Sequence, residues 1–586
     1  MTSFFKLSFW KSYGKAVTKR LFSSYKFLFF VSSLQIINLI LFCHHSVVKE
    51  LQIFSFIQGF IAFTTLIWLL PALFAPKRLR QIIMALEALF LALLFVYEFN
   101  LIVFCQTPIT NSVLHQYLTP NPAEVREDLL WQNIKWQSWL LGGGIVFLSA
   151  CFFNIVRLSR KFLSYIPKKI LYVGTFSLCL CGVALWQLPN YANHVTKGIP
   201  IYGKLTLFER FILGTRSAIK QNQQAVKQLA QLNQLPLGNV TVSSPKGRIC
   251  NVVLIIGESL RRGDMHCYGY PLDNTPHLDS LIASGSLILY DDVVSCAPNT
   301  ITSLPPILTF YQTKEKDKEW YHYPTLPMVF SAAGYYTFWS SNQERRGIYI
   351  QPLTAIASTC DSTFFSNART SEYWWGKGNT YDEVLLPSLL DYTQKKRNVL
   401  QIVHLYGSHA DFKDRYPKQY EKFSKNDILE PHLTEKQRQN TAEYMNSVYY
   451  NDFVVSRIIE RYSHLSSIII YFSDHALARY DNPEDIDQCS HENTESGLMI
   501  PFMVYMSDSF REENPEIYSR VVQAQNKPFM TDLLTHSMAE LMGISSLYHT
   551  PSLEFWSADY DVNRPRIVDI WGAVTQFSPK HKEYRK

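Results

Sequence analysis

The first third of the chain has very little negative charge. Residues 1–26, 76–80 and 157–169 contain lysine and arginine but no aspartate or glutamate. These three segments hold 14 positive charges, whereas the net charge of all 586 residues is +7, so the remainder is negative overall. With no basic stripe elsewhere, the composition gives no support for a nucleic acid as a partner.

The same region is rich in long apolar runs. Five of them are long enough to cross a bilayer, because a helix rises about 1.5 Å per residue and the hydrocarbon core is roughly 30 Å thick. The runs are residues 27–43, 53–75, 81–105, 138–156 and 170–188. Lysine and arginine concentrate on the cytoplasmic side, so the basic segments predict a cytoplasmic N-terminus and place residues after about 189 outside. The first run lacks a small-residue cleavage site, which favours a span over a signal peptide.

Cysteine is scarce outside the predicted membrane spans. Five of the ten cysteines lie in or near the spans, and the other five are Cys250, Cys267, Cys296, Cys360 and Cys489. This odd number leaves at least one thiol unpaired if all bonds are intramolecular. An oxidising compartment would permit one or two disulfides among them.

The rest of the chain divides into a connector and a second domain. Residues 205–232 are polar, rich in glutamine and helix-prone, and residues 235–247 are rich in turn-forming proline and glycine. From about residue 250, short apolar strands alternate with helical stretches, which is typical of an α/β domain with a mainly parallel sheet and helices on both faces. The predicted domains are a five-helix transmembrane domain over 1–189, a connector over 190–248 and an external domain over 249–586.

The stretch 251–270, NVVLIIGESLRRGDMHCYGY, organises this external domain. Its apolar residues are continuous rather than alternating, as in a strand that is buried on both faces, and the run stops at Gly257-Glu258. In open α/β sheets the chemistry gathers at the carboxyl ends of such strands. Glu258 is therefore a candidate functional acid. The alternative is that Glu258 caps a helix beginning near Ser259.

Two further predicted strands end in candidate metal ligands. Residues 398–405 lead to His409, and residues 466–472 lead to Asp474 and His475. Glutamate, aspartate and histidine together suit Zn²⁺, although a lone Asp-His pair is more often part of a turn. His491, ahead of a predicted strand at 501–505, is a further candidate ligand or phosphate contact.

Hydroxyl groups cluster in residues 295–305, SCAPNTITSLP, which include Thr300, Thr302 and Ser303. A hydroxyl bound to a metal is a nucleophile at neutral pH, because the metal lowers the pKa of the bound group. Transfer of a phosphoryl group also needs positive charge around its non-bridging oxygens. Ordinary turn and capping chemistry is the alternative interpretation of such a segment.

Four motifs resemble those of the lipopolysaccharide phosphoethanolamine transferases, members of the alkaline phosphatase and sulfatase superfamily. They are GESLRRGDMHCYGY, SCAPNTITSLP, YGSHADFKDRYP and FSDH. Five N-terminal spans and the helical stretch 443–459 fit the same family. The resemblance implies a metal-dependent phosphotransferase in a bacterial inner membrane, with residues 249–586 as its periplasmic catalytic domain.

The resemblance also implies roles for individual residues. The zinc ligands would be Glu258, Thr300, Asp474 and His475. Thr300, four residues after Cys296, matches the nucleophile. His409 and His491 match histidines that hold the phosphoryl group or a second metal, and Glu124 loosely matches a residue that holds the ethanolamine ammonium. Thr300 would attack phosphatidylethanolamine, release diacylglycerol and pass phosphoethanolamine to a lipopolysaccharide hydroxyl.

Departures from the family pattern bear on the acceptor. Ala476 and Leu477 stand where lipid A-modifying members often have glycine and glutamate, and Pro305 and Pro306 stand where a second cysteine is expected. The sequences of residues 258–270 and 338–343 more closely resemble those of the transferases that modify core heptose.

Three alternatives to this function remain open from the sequence. A sulfatase is one, because Cys296-Ala297-Pro298 begins like the signature in which cysteine becomes formylglycine, although that signature has arginine where this chain has Thr300. The others are a phosphoglycerol transferase of the same superfamily, which also has five spans, and a non-catalytic envelope scaffold.

Overall fold

The computed structural model describes, with short gaps, residues 12–20, 25–45, 64–104, 136–155, 207–242, 249–344, 351–367, 381–409, 412–480, 494–570 and 573–577. These residues divide into two compact units, one up to Asn222 and the other from Gln223 onward. Cys250, Cys267, Cys296 and Cys360 are free thiols. The disulfides that an oxidising compartment would permit are therefore not formed among these four, and Cys489 lies outside the described residues.

The first unit is α-helical in the part that the structure describes. Its helices include α1 (Tyr25–His45), α2 (Lys77–Phe104) and α3 (Trp136–Ile155), which coincide with three of the predicted spans. The three helices pack on one another. Among the described residues one helix, over Lys77–Asn100, is long and apolar enough to cross a membrane. The predicted span 170–188 and most of the predicted span 53–75 lie outside the described residues.

Helix α4 (Leu207–Leu232) corresponds to the helix predicted within the connector. Beyond it, seven strands form one sheet, namely β1 (Asn251–Gly257), β2 (Leu287–Leu289), β3 (Tyr336–Glu344), β4 (Ser362–Asn367), β5 (Val399–His404), β6 (Ser467–Ser473) and β7 (Phe502–Met506). Their spatial order is β2-β7-β6-β1-β5-β3-β4. All neighbouring pairs are parallel except those of β7, which runs antiparallel to β2 and β6. The prediction of a mainly parallel sheet is confirmed.

Helices cover both faces of this sheet. They are α5 (Pro276–Ala283), α6 (Thr300–Ile307), α7 (Leu326–Ala332), α8 (Gln351–Ala357), α9 (Tyr392–Lys395), α10 (Glu435–Ser463), α11 (Glu495–Leu498), α12 (Asp508–Glu513), α13 (Pro515–Gln523) and α14 (Leu534–Leu541). Successive residues of β1 enter two different apolar cores: Val252 and Leu254 belong to one, and Val253 and Ile255 belong to the other. Side chains alternate across a strand, so a core on each face explains why β1 is a continuous apolar run.

The strands that carry the candidate ligands end side by side. In register, Gly257 of β1 pairs with Ser473 of β6, and Ile256 pairs with His404 of β5. His404 also pairs with Ser341 of β3. The turns that follow β1, β5 and β6 and the end of β3 therefore share one edge of the sheet.

Candidate active site

Four predicted site residues meet at this edge. Donor atoms of Glu258, Asp474 and His475 all lie within 4.8 Å of one another, and the three side chains are buried. The Thr300 Oγ1 hydroxyl donates to Glu258 Oε2 at 3.1 Å and lies 3.2 Å from His475 Nε2. His475 Nε2 is 3.2 Å from Glu258 Oε1 and 3.5 Å from Asp474 Oδ2. Residues more than two hundred positions apart in the sequence are thus brought into one group.

Thr300 reaches the group because it is the first residue of α6. Asn299 is the N-cap, and its Oδ1 accepts hydrogen bonds from the backbone N–H and the hydroxyl of Thr302. The Ser303 hydroxyl contacts the Thr300 carbonyl oxygen instead. Thr300 thus directs its hydroxyl to the carboxylate of Glu258 and the ring of His475, whereas capping chemistry accounts for Thr302.

The turn after β1 is not the start of a helix. Ser259 has a φ of +58°, in the left-handed region, and the next helical residues form a short 3₁₀ turn at Arg262–Asp264. The alternative in which Glu258 caps a helix near Ser259 is therefore wrong. The Ser259 N–H donates to Asp474 Oδ1 at 3.2 Å, and the Leu260 N–H donates to Ser473 Oγ at 2.9 Å. These bonds to the turn after β6 hold the uncommon backbone conformation.

The turn after β5 packs directly on the backbone of Glu258. The Ser408 N–H donates to the Glu258 carbonyl oxygen at 3.0 Å. Gly407 has a φ of +53°, and a Cβ on it would lie 2.8 Å from the Glu258 nitrogen, so only glycine fits without displacement. Buried Asp382 accepts hydrogen bonds from the N–H groups of Tyr406 and Gly407 at 2.7 and 2.9 Å.

His409 is the exposed member of this turn. Its ring packs edge-on against Tyr406, with 5.3 Å between ring centroids. Its charge is close enough to contribute to lowering the pKa of Glu258. His491 and Glu124, the other two predicted substrate-binding residues, lie outside the described residues.

The buried charges shift one another's pKa values. Burial raises the pKa of Glu258, but the hydrogen bond and charge of His475 outweigh this effect and hold it well below its usual value. Burial and the negative charge of Glu258 raise the pKa of Asp474 to about 7. Burial alone would lower the pKa of His475, but Asp474 and Glu258 raise it to about 9. Without a metal, the group is therefore a Glu⁻–His⁺ pair beside a carboxyl that titrates near neutrality.

The donor set fits a divalent cation. Within the part of the chain that the structure describes, Asp474 Oδ2 is buried and has no hydrogen-bond partner, which is costly unless another group satisfies it. Two carboxylates, an imidazole and a hydroxyl are nitrogen and oxygen donors of the kind that Zn²⁺ accepts. A second set, His266, Asp273 and Asp279, also has suitable spacing, but it is more exposed and Lys422 Nζ already lies 2.9 Å from Asp273 Oδ2.

Sequence reasoning missed Gln343, which also contacts the acid. Its Nε2 donates to Glu258 Oε2 at 2.9 Å and to the Leu405 carbonyl oxygen at 3.2 Å. Gln343 lies near the end of β3, where the pairing with β4 shifts register between Ser341 and Glu344. The available signal was the polar run SSNQE at the end of β3, whereas for Glu258 it was an apolar run that stops at Gly257.

Comparison with known proteins places this geometry in a family. Residues 250–544 match the family model described as Sulfatase. Phosphoethanolamine transferase EptC of Escherichia coli is 30% identical over 512 residues, which cover 83% of this chain and 84% of that protein. Phosphoethanolamine transferase CptA of Salmonella typhimurium is 29% identical over 505 residues, which cover 82% of this chain and 83% of that protein.

A solved structure gives the same result for the second unit. The crystal structure of the C-terminal periplasmic domain of EptC from Escherichia coli, in complex with Zn, is 29% identical with a TM-score of 0.53. The match covers 58% of this chain and 96% of that chain. The resemblance read from the four motifs is thus confirmed, and the chain belongs to the phosphoethanolamine transferases of the sulfatase family.

Proposed function

We propose that this enzyme transfers phosphoethanolamine from phosphatidylethanolamine to lipopolysaccharide, with core heptose as the acceptor, through an ester on Thr300. The observation that carries the proposal is the position of the Thr300 hydroxyl between Glu258 Oε2 and His475 Nε2. The motifs imply a lipopolysaccharide acceptor. The departures at Ala476 and Leu477 disfavour lipid A, and the sequences of residues 258–270 and 338–343 favour core heptose.

In the first step, Thr300 Oγ1 bonds to the phosphorus of the donor lipid, and the bond from phosphorus to the glycerol oxygen breaks. The Thr300 hydroxyl loses its proton as the new bond forms, and the departing diacylglycerol oxygen takes up a proton. In the second step, a sugar hydroxyl attacks the same phosphorus, the Thr300 ester bond breaks, and the threonine oxygen regains a proton. Each step is a substitution at phosphorus, so no oxidant or reductant is needed.

The chain supplies positive potential for the phosphoryl oxygens. Thr300 is the first residue of α6, so an ester on its Oγ1 would be close to the positive end of the helix dipole. His409 lies on the exposed side of the site, and His491 is proposed as a second histidine contact. Glu124 is proposed to hold the ethanolamine ammonium.

Zn²⁺ held by Glu258, Asp474, His475 and the Thr300 oxygen would lower the pKa of the threonine hydroxyl and neutralise charge on the phosphoryl group. The buried donor set and the Asp474 Oδ2 atom, which has no hydrogen-bond partner among the described residues, support a metal here, and the related periplasmic domain was crystallised in complex with Zn. One ion is proposed at this group, and His409 and His491 are candidates for holding a second.

The proposed location follows from charge and hydropathy. We propose a multi-pass inner-membrane protein with a five-helix transmembrane domain over 1–189, a connector over 190–248 and a periplasmic catalytic domain over 249–586. The lysine and arginine distribution supports the orientation, and the related EptC domain is described as periplasmic. A donor lipid in the same membrane would then lie next to the enzyme.

The sulfatase alternative has no support from the position of Cys296. Its thiol is fully buried, and Sγ donates to the Ser303 carbonyl oxygen at 3.3 Å. Burial also raises the pKa of this thiol well above its usual value, which disfavours the thiolate form. It is Thr300, not Cys296, that contacts the acids and the histidine.

The proposal is tested by mass spectrometry of lipopolysaccharide. The cells have their own copy of the gene deleted and produce the wild-type protein, Thr300→Ala or Thr302→Ala in its place. We expect wild type and Thr302→Ala to add one phosphoethanolamine to a core fragment, and Thr300→Ala to add none while remaining folded. Activity in Thr300→Ala would remove that residue from its role. Phosphoethanolamine found on lipid A instead would show that the proposed acceptor is wrong. Transfer of a labelled headgroup from phosphatidylglycerol would show that the proposed donor is wrong.

A further inference from the structure

We infer that Gln343 is the residue that orients the Glu258 carboxylate for metal binding. This inference rests on the proposed metal site and assigns a positioning role to a side chain outside it. Gln343 comes from β3, two strands away from β1 in the sheet, so its amide reaches Glu258 across the end of β5. A side chain that stabilised only its own strand would not have to extend over a neighbouring strand.

Each oxygen of the Glu258 carboxylate has one contact from the site and one from a supporting residue. Oε1 lies 3.2 Å from His475 Nε2 and accepts the Ser259 hydroxyl at 2.7 Å. Oε2 accepts the Thr300 hydroxyl at 3.1 Å and the Gln343 amide at 2.9 Å. When His475 and Thr300 serve as metal ligands, their contacts with Glu258 are given up. Ser259 and Gln343 are then the donors that remain to fix the carboxylate.

The Gln343 amide is itself held in place. Its Nε2 also donates to the Leu405 carbonyl oxygen at 3.2 Å, so both amide hydrogens have acceptors. The side chain is buried. The Gln343 N–H donates to Ser341 Oγ at 3.0 Å, within the register shift of β3. Such irregularities next to active sites re-aim side chains, and here the local hydrogen bond accompanies an amide that reaches the acid.

Removal of an outer partner of a metal ligand typically costs roughly 10- to 100-fold in metal affinity or activity. We expect Gln343→Leu to weaken Zn²⁺ binding by about this factor in the full-length protein in detergent, measured by competition with a chromogenic chelator. Its transfer activity should rise again when the Zn²⁺ concentration is raised. A loss of packing alone would not be reversed by metal.

Gln401 provides a matched control on β5. It is a fully buried glutamine whose Nε2 donates to Ser340 Oγ and to the Ile402 carbonyl oxygen, at 3.2 and 3.0 Å. Gln401→Leu removes these two amide bonds, and also the bond that its Oε1 accepts from the Leu390 N–H at 3.1 Å, without touching Glu258. It should lower thermal stability at least as much as Gln343→Leu and leave the Zn²⁺ affinity unchanged. If Gln343→Leu does not fold, Gln343→Asn keeps the amide but shortens its reach by about one bond, roughly 1.5 Å, and should weaken Zn²⁺ binding in the same way.

Glu258→Gln distinguishes the positioning role of Gln343 from the metal site itself. If Glu258→Gln weakens Zn²⁺ binding but the foldable Gln343 variant binds as tightly as Gln401→Leu, the positioning role is refuted and the metal site stands. If Glu258→Gln binds Zn²⁺ as tightly as wild type, the metal site is wrong and the role of Gln343 falls with it. Weakening in both Glu258→Gln and the Gln343 variant supports both.

Discussion

Binding of a metal at the active site should release a proton from His475. The neighbouring carboxylates raise the pKa of His475 to about 9, so the metal-free imidazole is mainly protonated at neutral pH, whereas a metal ligand must be neutral. Two pH units at about 1.4 kcal/mol each amount to about 3 kcal/mol, and the side chain is buried. Zn²⁺ affinity should therefore be roughly 100-fold lower at pH 7 than above pH 9. Between about pH 7 and pH 9, the Zn²⁺ affinity should therefore rise by about tenfold per pH unit.

A second proton enters below neutrality. Burial and the charge of Glu258 raise the pKa of Asp474 to about 7, so the dependence should steepen as the pH falls through that value. Chelator competition over a pH series gives the slope, and calorimetry in buffers of different protonation enthalpy counts the protons released. His266→Ala, which alters the exposed second donor set, should not change either result. Affinity that is constant between about pH 7 and pH 8.5 would show that His475 is uncharged before the metal binds.

Two further predictions concern the packing around the site. Gly407→Ala places a Cβ 2.8 Å from the Glu258 nitrogen at a positive φ, so we expect a loss of about 1–3 kcal/mol in denaturant unfolding together with reduced transfer. Gly269→Ala, with φ +101° but nothing near its Cβ, should spare transfer, and equal activity in both variants would argue against the close approach. Arg479 pairs with Asp264 in a buried ion pair at 3.1 Å. Arg479→Met should destabilise the protein by about 3 kcal/mol, because the buried Asp264 charge then keeps the more distant Arg261 Nε, at 4.0 Å. A loss below about 1 kcal/mol would mean that water or another group compensates Asp264.

The location of the candidate site was predictable from the sequence because strand ends in a parallel sheet share an edge. The continuous apolar run of β1 indicated burial on both faces, and the two cores that receive Val252 and Val253 give the reason. Two other apolar strands lead to candidate ligands: one is followed directly by Asp474-His475, and the other ends five residues before His409. Parallel pairing in register then brings these ends together without any further information from local sequence.

What the sequence could not give depends on contacts between distant turns. Ser259 follows an acid and precedes a leucine, which is compatible with a helix start, and its left-handed φ is held by bonds to Ser473 and Asp474. Gln343 reaches Glu258 from β3, and nothing in the sequence SSNQ at residues 340–343 indicates the register shift there. Likewise, the run at 501–505 predicts a strand but not that β7 runs antiparallel to β6.

The same contacts between turns explain how two buried acids are held together without relying on a metal. The Ser259 N–H binds Asp474 Oδ1, the Ser408 N–H binds the Glu258 carbonyl oxygen, and the Ser295 hydroxyl donates to the Asp474 carbonyl oxygen at 2.6 Å. Among the described residues, these bonds leave Asp474 Oδ2 without a hydrogen-bond partner, with the His475 ring 3.5 Å away. The turns therefore position the donors while one carboxylate oxygen stays available. Preorganisation of this kind lets binding energy act on the phosphoryl group instead of on ordering the site.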